Sequence, residues 1–258
     1  MIGLDFPVKP EWIHDVHDLW EPHQPIGDLI QAALGQTMQE LGGEKTRRNS
    51  LGIILRYFVT TEGDGNARRT AAKDVWVSYS RAYPISTMAP AYLAHLIAQN
   101  NVAQEISRFL VGRYAPGDDF SSRELRRHVS AIFGQRKVVT NAASAFLRSL
   151  EAFGVLRSGQ RRAEYQFVEK LQIEQDVFPL IVWTWWQTHQ SPQINTESFA
   201  EEPSLAFLQA GDLTAYWSTY QSTLWSIDER LDGHRATLKY VKVEFFQEAL
   251  SQLLPNAT

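Results

Sequence analysis

Cysteine is absent from the 258-residue chain. That excludes disulfides, thiol nucleophiles and thiolate zinc sites, while saying little about compartment. Long apolar runs are missing too: the longest, Val177 to Trp186, is about half the length that spans a bilayer. No cationic-then-apolar leader opens the chain, so a soluble cytoplasmic protein with no membrane association is the expectation. The chain also lacks a Walker loop, a paired glycine fingerprint, a nucleophile elbow and a kinase motif set. Gly63-Asp64-Gly65-Asn66 has neither the lysine nor the flanking strand of a phosphate loop. Asp118-Asp119, between Pro116-Gly117 and Ser121, reads as a loop that brings negative charge to the positive end of a helix. The expectation is a non-enzymatic protein without a cofactor or metal, although a site assembled from distant carboxylates would leave no local trace.

Positive charge is scarce overall, with 25 Lys and Arg against 29 Asp and Glu, but it is unevenly spread. Arg108 to Arg162 holds eleven basic and four acidic side chains, a balance of +7. Met1 to Ser107 has nine against twelve, and Ala163 to Thr258 five against thirteen. An acidic chain has gathered its cations in one segment, which is the footprint of a polyanion-binding module. Arg123, Arg126 and Arg127 would also suit a merely solvated helix surface, as most charge runs do.

Within that segment, Phe120 to Val168 has the outline of a winged helix-turn-helix. Ser121 or Ser122 can cap a helix, and Glu124 stands three residues after Ser121, as a capping box requires. Leu125, Val129 and Ile132 or Phe133 form its inward stripe, and Gly134 can end it. The helix expected from Lys137 to Phe153 is divided along its length. Lys137, Thr140, Asn141, Ser144, Arg148 and Glu151 fall in one polar sector about 100° wide, while Ala142, Ala143, Phe146, Leu147, Leu150 and Phe153 occupy the opposite arc. Gly154 terminates it. Val155-Leu156 then starts a strand, Arg157-Ser158-Gly159-Gln160-Arg161-Arg162 makes a basic tip, and Ala163, Tyr165 and Phe167 alternate on the return strand.

In such a module the polar helix face enters the major groove and the hairpin lies along the backbone. Lys137, Arg148, Arg157, Arg161 and Arg162 are the candidates for phosphates, and Asn141 and Arg148 for base edges. Arg123, Arg127, Thr140 and Ser144 complete the candidate DNA-contacting set.

Elsewhere helical patterning dominates. Met1 to Pro25 reads as irregular, and helices are expected over Ile26–Leu41, Ser50–Thr60 after a basic turn at Lys45–Arg48, Ala67–Arg81, Ala91–Gln99 and Val102–Tyr114. Thr61 to Asn66 reads as a loop. Downstream, Val168 to Trp186 is a charged stretch followed by a tryptophan-rich helix or buried segment, Ser191 to Pro203 a polar connector, and Asp212 to Ile227 a helix with an aromatic stripe. A strand over Thr237–Val243 and a helix over Glu244–Leu254 close the chain.

Two further groupings have competing readings. His14, His17, Asp18 and His23 could approach a metal, but the other histidines are isolated, and a solvated terminal segment docked by Trp12 and Trp20 explains them as well. Trp183, Trp185, Trp186, Trp217 and Trp225 could stack on bases or a ligand, yet each sits among aliphatic neighbours as a core residue would.

A helical first half, Ile97 to Tyr114, the Phe133-Gly134 turn, and Ser144-Ala145-Phe146-Leu147-Arg148-Ser149-Leu150 closing on Phe153-Gly154-Val155-Leu156 together resemble the BrxA proteins of bacterial BREX phage-defence systems. The resemblance covers Leu51 to Leu156; the tail after Val168 is longer than that family needs. It implies a small helical DNA-binding component, acting beside a methyltransferase and other defence proteins.

The expectation is therefore a mainly α protein: a helical region over 1–114, a winged helix-turn-helix with a small hairpin wing over 115–170, and a Trp-rich, mainly helical region over 171–258. Its expected partner is double-stranded DNA. The alternative is a protein-protein adaptor using the winged helix and the Trp-rich region. For a homodimer, the stripe from Leu213 to Ile227 is the candidate seam, and packing within one chain would explain it equally.

Overall fold

The computed structural model describes residues 4–62, 70–71, 74–230, 233–240 and 242–254. Among them the protein is mainly α, with twelve helices and ten short strands. The first part comprises α1 (Pro10–Asp18), α2 (Ile26–Gln36), α3 (Glu44–Phe58), a ribbon of β1 (Thr61–Glu62) and β2 (Thr70–Ala71), α4 (Val75–Ala82) and α5 (Ile85–Ala98).

Four local expectations are corrected here. The first 25 residues are not irregular, because α1 forms and buries Trp12, Ile13, Val16 and His17. The basic stretch Lys45–Arg48 is the first turn of α3 rather than a turn ahead of it, with Arg48 paired to Glu44 one turn away at 2.9 Å. Ala71 lies on β2, and α4 begins only where the Asp74 carboxylate accepts the Trp76 N–H at 2.9 Å. Residues 67–69 and 72–73 of that expected helix, like the loop at 63–66, fall outside the described residues. The helix expected from Ala91 starts six residues earlier, at Ile85, and runs through Pro90. Every side chain from Met88 to Ala98 is buried there, and the burial outweighs one missing backbone hydrogen bond.

The middle part runs through α6 (Asn101–Val111), β3 (Asp119–Ser121), α7 (Ser122–Phe133), α8 (Lys137–Ala152), β4 (Leu156–Ser158) and β5 (Glu164–Phe167). The last part holds β6 (Leu171–Gln172), α9 (Phe178–His189), β7 (Gln193–Asn195), α10 (Thr196–Ala200), β8 (Leu208–Gln209), α11 (Leu213–Thr219), β9 (Trp225–Arg230), β10 (Gly233–Leu238) and α12 (Val243–Gln252). β6 and β8 pair in parallel, and β7, β10 and β9 form an antiparallel sheet in that order.

The helix expected over Asp212–Ile227 stops at Thr219. Ser222 takes a positive φ in the turn that follows, and Trp225 and Ile227 belong to β9. The last strand likewise begins at Gly233 rather than Thr237, and Val243 opens α12. Apolar residues at 224, 225 and 227 satisfy both a helical and a strand period. The pairing with β10, which lies outside the local window, settles the choice.

One continuous core runs from Leu4 to Leu250, drawing on all three expected regions. α5 lies within it against α1, α6 and α9, and α4 packs on α12. All eight tryptophans are buried, so their packing role prevails and no ring lies open for stacking on a base. Within the aromatic stripe, Trp217, Tyr220 and Leu224 are buried in the chain, while Leu213, Tyr216 and Ile227 are half-buried.

Of the terminal histidines, His14 and His17 lie on α1, which is pressed into this core, while His23 is exposed. His17 is fully buried, and its Nε2–H donates to the Phe58 carbonyl at 2.9 Å. The His14 Nδ1 lies 3.0 Å from the Ser80 hydroxyl. No cluster of metal-ligating side chains occurs among the described residues.

Candidate nucleic-acid interface

The segment from α6 to β5 reads helix, strand, helix, helix, strand, strand, and its three strands pair antiparallel in the order β3-β5-β4. α7 starts where it was expected. The Ser121 hydroxyl accepts the Arg123 N–H at 3.3 Å. The capping box does not close, because the Glu124 carboxylate instead accepts from Arg113 at 2.8 Å and from the Tyr114 hydroxyl at 3.2 Å. Ser121→Ala should therefore cost about 1 kcal/mol of stability, read by urea unfolding, with the Glu124 contacts left in place.

Gly134 ends α7 with a φ of +86°, a conformation that a side chain rarely adopts. Of the two candidates for the end of the inward stripe, Phe133 packs against the core and Ile132 stays 51% exposed.

α8 is embedded along most of its circumference. Val139, Ala142, Ala143, Ala145, Phe146, Leu147 and Leu150 are buried, and the Ser149 hydroxyl accepts the Val8 N–H at 2.9 Å, tying the helix to the N-terminal segment. What remains open is the expected polar sector: Lys137, Thr140, Asn141 and Arg148 are exposed, and Ser144 is half-buried. The Ser144 hydroxyl donates to the Thr140 carbonyl at 2.8 Å. Glu151, at the far end of that sector, is occupied: it accepts the Ser158 N–H at 3.1 Å and the Ser158 hydroxyl at 2.5 Å. Two hydrogen bonds thus hold the hairpin against the end of α8.

The pleat sorts the hairpin residues. Ser158, Tyr165 and Phe120 pair on the face turned toward the helices, and Arg157, Gln166 and Asp119 on the face turned away. Arg157 donates to the Gln166 side chain at 2.7 Å, so it stands apart from the α8 surface, contrary to the single contact surface expected from sequence. It also lies in β4 and not in the tip. Arg161 and Arg162 do occupy the tip; Arg161 is 85% exposed and lies 3.8 Å from Glu164, and Arg162 is exposed. Gly159 fits the tight turn because a Cβ there would meet the Glu164 side chain at 2.8 Å.

On α7, Arg123 and Arg127 are exposed, and Arg126 sits half-buried between them. With Ser130 and Gln135 they line an open depression of about 390 Å³. Arg126 was read from sequence only as part of a charge run. Its Nε is buried without a hydrogen-bond partner.

One group reports on how these elements meet. The Tyr165 phenol is raised above its usual range by burial first and by the Glu151 carboxylate second, with Arg126 and Arg148 pulling the other way. A cation from α7 and a cation from α8 therefore act on the same hairpin side chain. This convergence is invisible to any single helical wheel.

The fate of the basic residues divides sharply. Arg108 and His128 engage Glu105 at 3.6 and 2.8 Å, and Arg113 engages Glu124. Among the described residues no ion pair engages Arg123, Arg126, Arg127, Lys137, Arg148 or Arg162. Arg108, Arg113 and His128 are neutralised internally and Arg161 faces Glu164; Arg123, Arg126 and Arg127 on α7, Lys137 and Arg148 on α8, and Arg162 at the tip are left to solvent or to a partner. No protein-family model, curated protein or solved structure matches the chain.

Proposed function

We propose that the segment from α6 to β5 is a winged helix-turn-helix that binds duplex DNA, with α8 as the helix that enters the major groove and the β4–β5 tip against the backbone. The observation that carries this reading is the set of unpaired cations contributed by α7, α8 and the tip, of which Arg126 and Arg148 act on the same hairpin tyrosine. Leaving so many guanidinium groups without a counter-charge in a chain of net −4 is explained by an external polyanion.

Asn141 and Arg148, on the open sector of α8, are the side chains suited to base edges. Arg123, Arg126, Arg127, Lys137 and Arg148 suit phosphates, as do the tip residues. Arg157, on the far face of the sheet, does not belong to this set.

Fluorescence anisotropy of a labelled duplex at two salt concentrations tests the proposal. Binding should fall steeply as salt rises. Charge reversal of the tip, Arg161→Glu with Arg162→Glu, should weaken binding roughly tenfold across unrelated sequences and lower the salt slope, since each lost phosphate contact removes about 0.9 from it. An unchanged affinity in a folded double variant rules the tip out as a contact. Absence of binding even at low salt rules out the whole proposal.

The buried tryptophans of the last region offer no exposed anchors of the kind an adaptor uses. A place in a phage-defence assembly, implied by the resemblance to BrxA proteins, belongs to the same proposal. Co-purification of a methyltransferase with the tagged chain from its own host tests that part.

A further inference from the structure

The stretch Ala163 to Thr258, with five basic against thirteen acidic side chains, contains a cavity of about 470 Å³ between α10, α11 and the β9–β10 ribbon. Leu213 and Ile227, both half-buried, form an apolar floor beside the buried Trp217.

The strand ladder places the polar wall. Ile227 and Glu229 alternate along β9 and so share a face, and Glu229 stands directly across from His234 on β10. The His234 Nδ1 lies 3.3 Å from the Glu197 carboxylate of α10. Two carboxylates from separate elements thus flank one imidazole at the edge of the apolar floor.

Both carboxylates are open to solvent, and one is fixed in place. The two oxygens of Glu197 accept the His234 backbone N–H at 3.0 and 3.2 Å. Gly233, with a φ of +108°, leaves room for them, since a Cβ there would come within 2.5 Å of the carboxylate. The Glu197 side chain still stays 54% exposed. Glu229 is exposed, and among the described residues no cation pairs with it. No Lys or Arg lines the cavity among those residues.

Such a mouth repels anions, phosphates included, while the floor favours an apolar body. An inorganic cation gains nothing from Leu213 and Ile227, and no metal-ligating cluster occurs among the described residues. We propose that this cavity binds a small aliphatic amine in its ammonium form, with the charged head at Glu197 and Glu229 and the methylenes over Leu213 and Ile227. Charge-assisted hydrogen bonds to the carboxylates orient the head. The volume lies within the range of roughly 300–1,000 Å³ typical of small-molecule sites.

Isothermal titration of the full chain with hexylamine at fixed ionic strength tests this, with 1-hexanol and ammonium chloride as separate titrants. Hexylamine should bind saturably. Hexanol keeps the body without the charge and ammonium the charge without the body, so each should bind at least about tenfold more weakly. Glu229→Gln, an exposed change that should fold, and Ile227→Thr, which keeps a β-branched side chain in the strand, should each weaken hexylamine binding about tenfold. Glu229→Gln should leave duplex affinity at the parental value, so this site stands or falls apart from the candidate DNA interface. The proposal is overturned if hexylamine does not bind saturably, if hexanol or ammonium binds as tightly, or if Glu229→Gln binds hexylamine as the parent does.

Discussion

Replacing Arg127 and Arg148 together by glutamate is expected to weaken duplex binding on the order of 100-fold and to lower the slope of log affinity against log salt by roughly two. The two side chains come from different helices, both are exposed, and neither is engaged by an anion of the protein. Reversal therefore removes two phosphate contacts and adds two repulsions, while the buried arc of α8 is left intact. Exposure also predicts a folded protein, with a melting temperature within a few degrees of the parent as surface changes usually give. Anisotropy across a salt series, on a variant checked by circular dichroism, is the measurement. Binding at parental strength with a parental slope would remove the proposed interface.

Acidification is expected to have the second large effect. His17 and His95 are both wholly buried, and burial holds each at about 4, against an ordinary value of 6.5. For His17 the hydrogen bond to the Phe58 carbonyl works against that shift, while the nearby His14 and Arg81 reinforce it.

The folded state thus takes up these protons less readily than the unfolded chain does. Stability from the two sites is fully present above pH 6.5 and is lost as pH falls from there toward 4. At about 1.4 kcal/mol per unit, each site contributes on the order of 3 kcal/mol across that window, a large share of a typical total of about 5–15 kcal/mol. Asp74 acts in the opposite sense, since burial raises its carboxyl and protonation favours its folded form.

Urea unfolding at a series of pH values between 7 and 4 should show a steep net loss. A His17→Gln, His95→Gln variant that still folds should show a much shallower one. Stability that stays level across the window would mean that water reaches these rings or that charge is compensated in another way.

The middle of the chain was legible because its signals are local. Ser121, Gly134 and Gly154 mark helix ends through backbone geometry alone, and the polar sector of α8 follows from a fixed angular step of about 100° per residue. The burial of Ala142, Ala143, Phe146, Leu147 and Leu150 and the exposure of Lys137, Thr140, Asn141 and Arg148 both came out as the wheel required. The C-terminal part was less readable. Leu213 to Ile227 keeps an apolar period through a helix, a turn and a strand, and only pairing with Gly233–Leu238 breaks the ambiguity. The first 25 residues misled for a related reason: prolines and scattered aromatics suggest irregular chain, whereas the core accepts Trp12, Val16 and His17 from one helix.

From its sequence alone, this protein was bound to be mainly helical, free of disulfide and thiolate chemistry, and most basic over Arg108–Arg162, since composition, periodicity and caps act over a few residues. Tertiary structure decided which of those cations remain available. Glu105 and Glu124 neutralise one group, the pleat of β4 turns Arg157 away, and the packing of α7, α8 and β5 brings Arg126 and Arg148 to act on one tyrosine. It also set Glu197 and Glu229 on either side of His234 at one cavity. Charge pairing and the lining of a cavity depend on distances between residues far apart in the chain, and those exist only after folding.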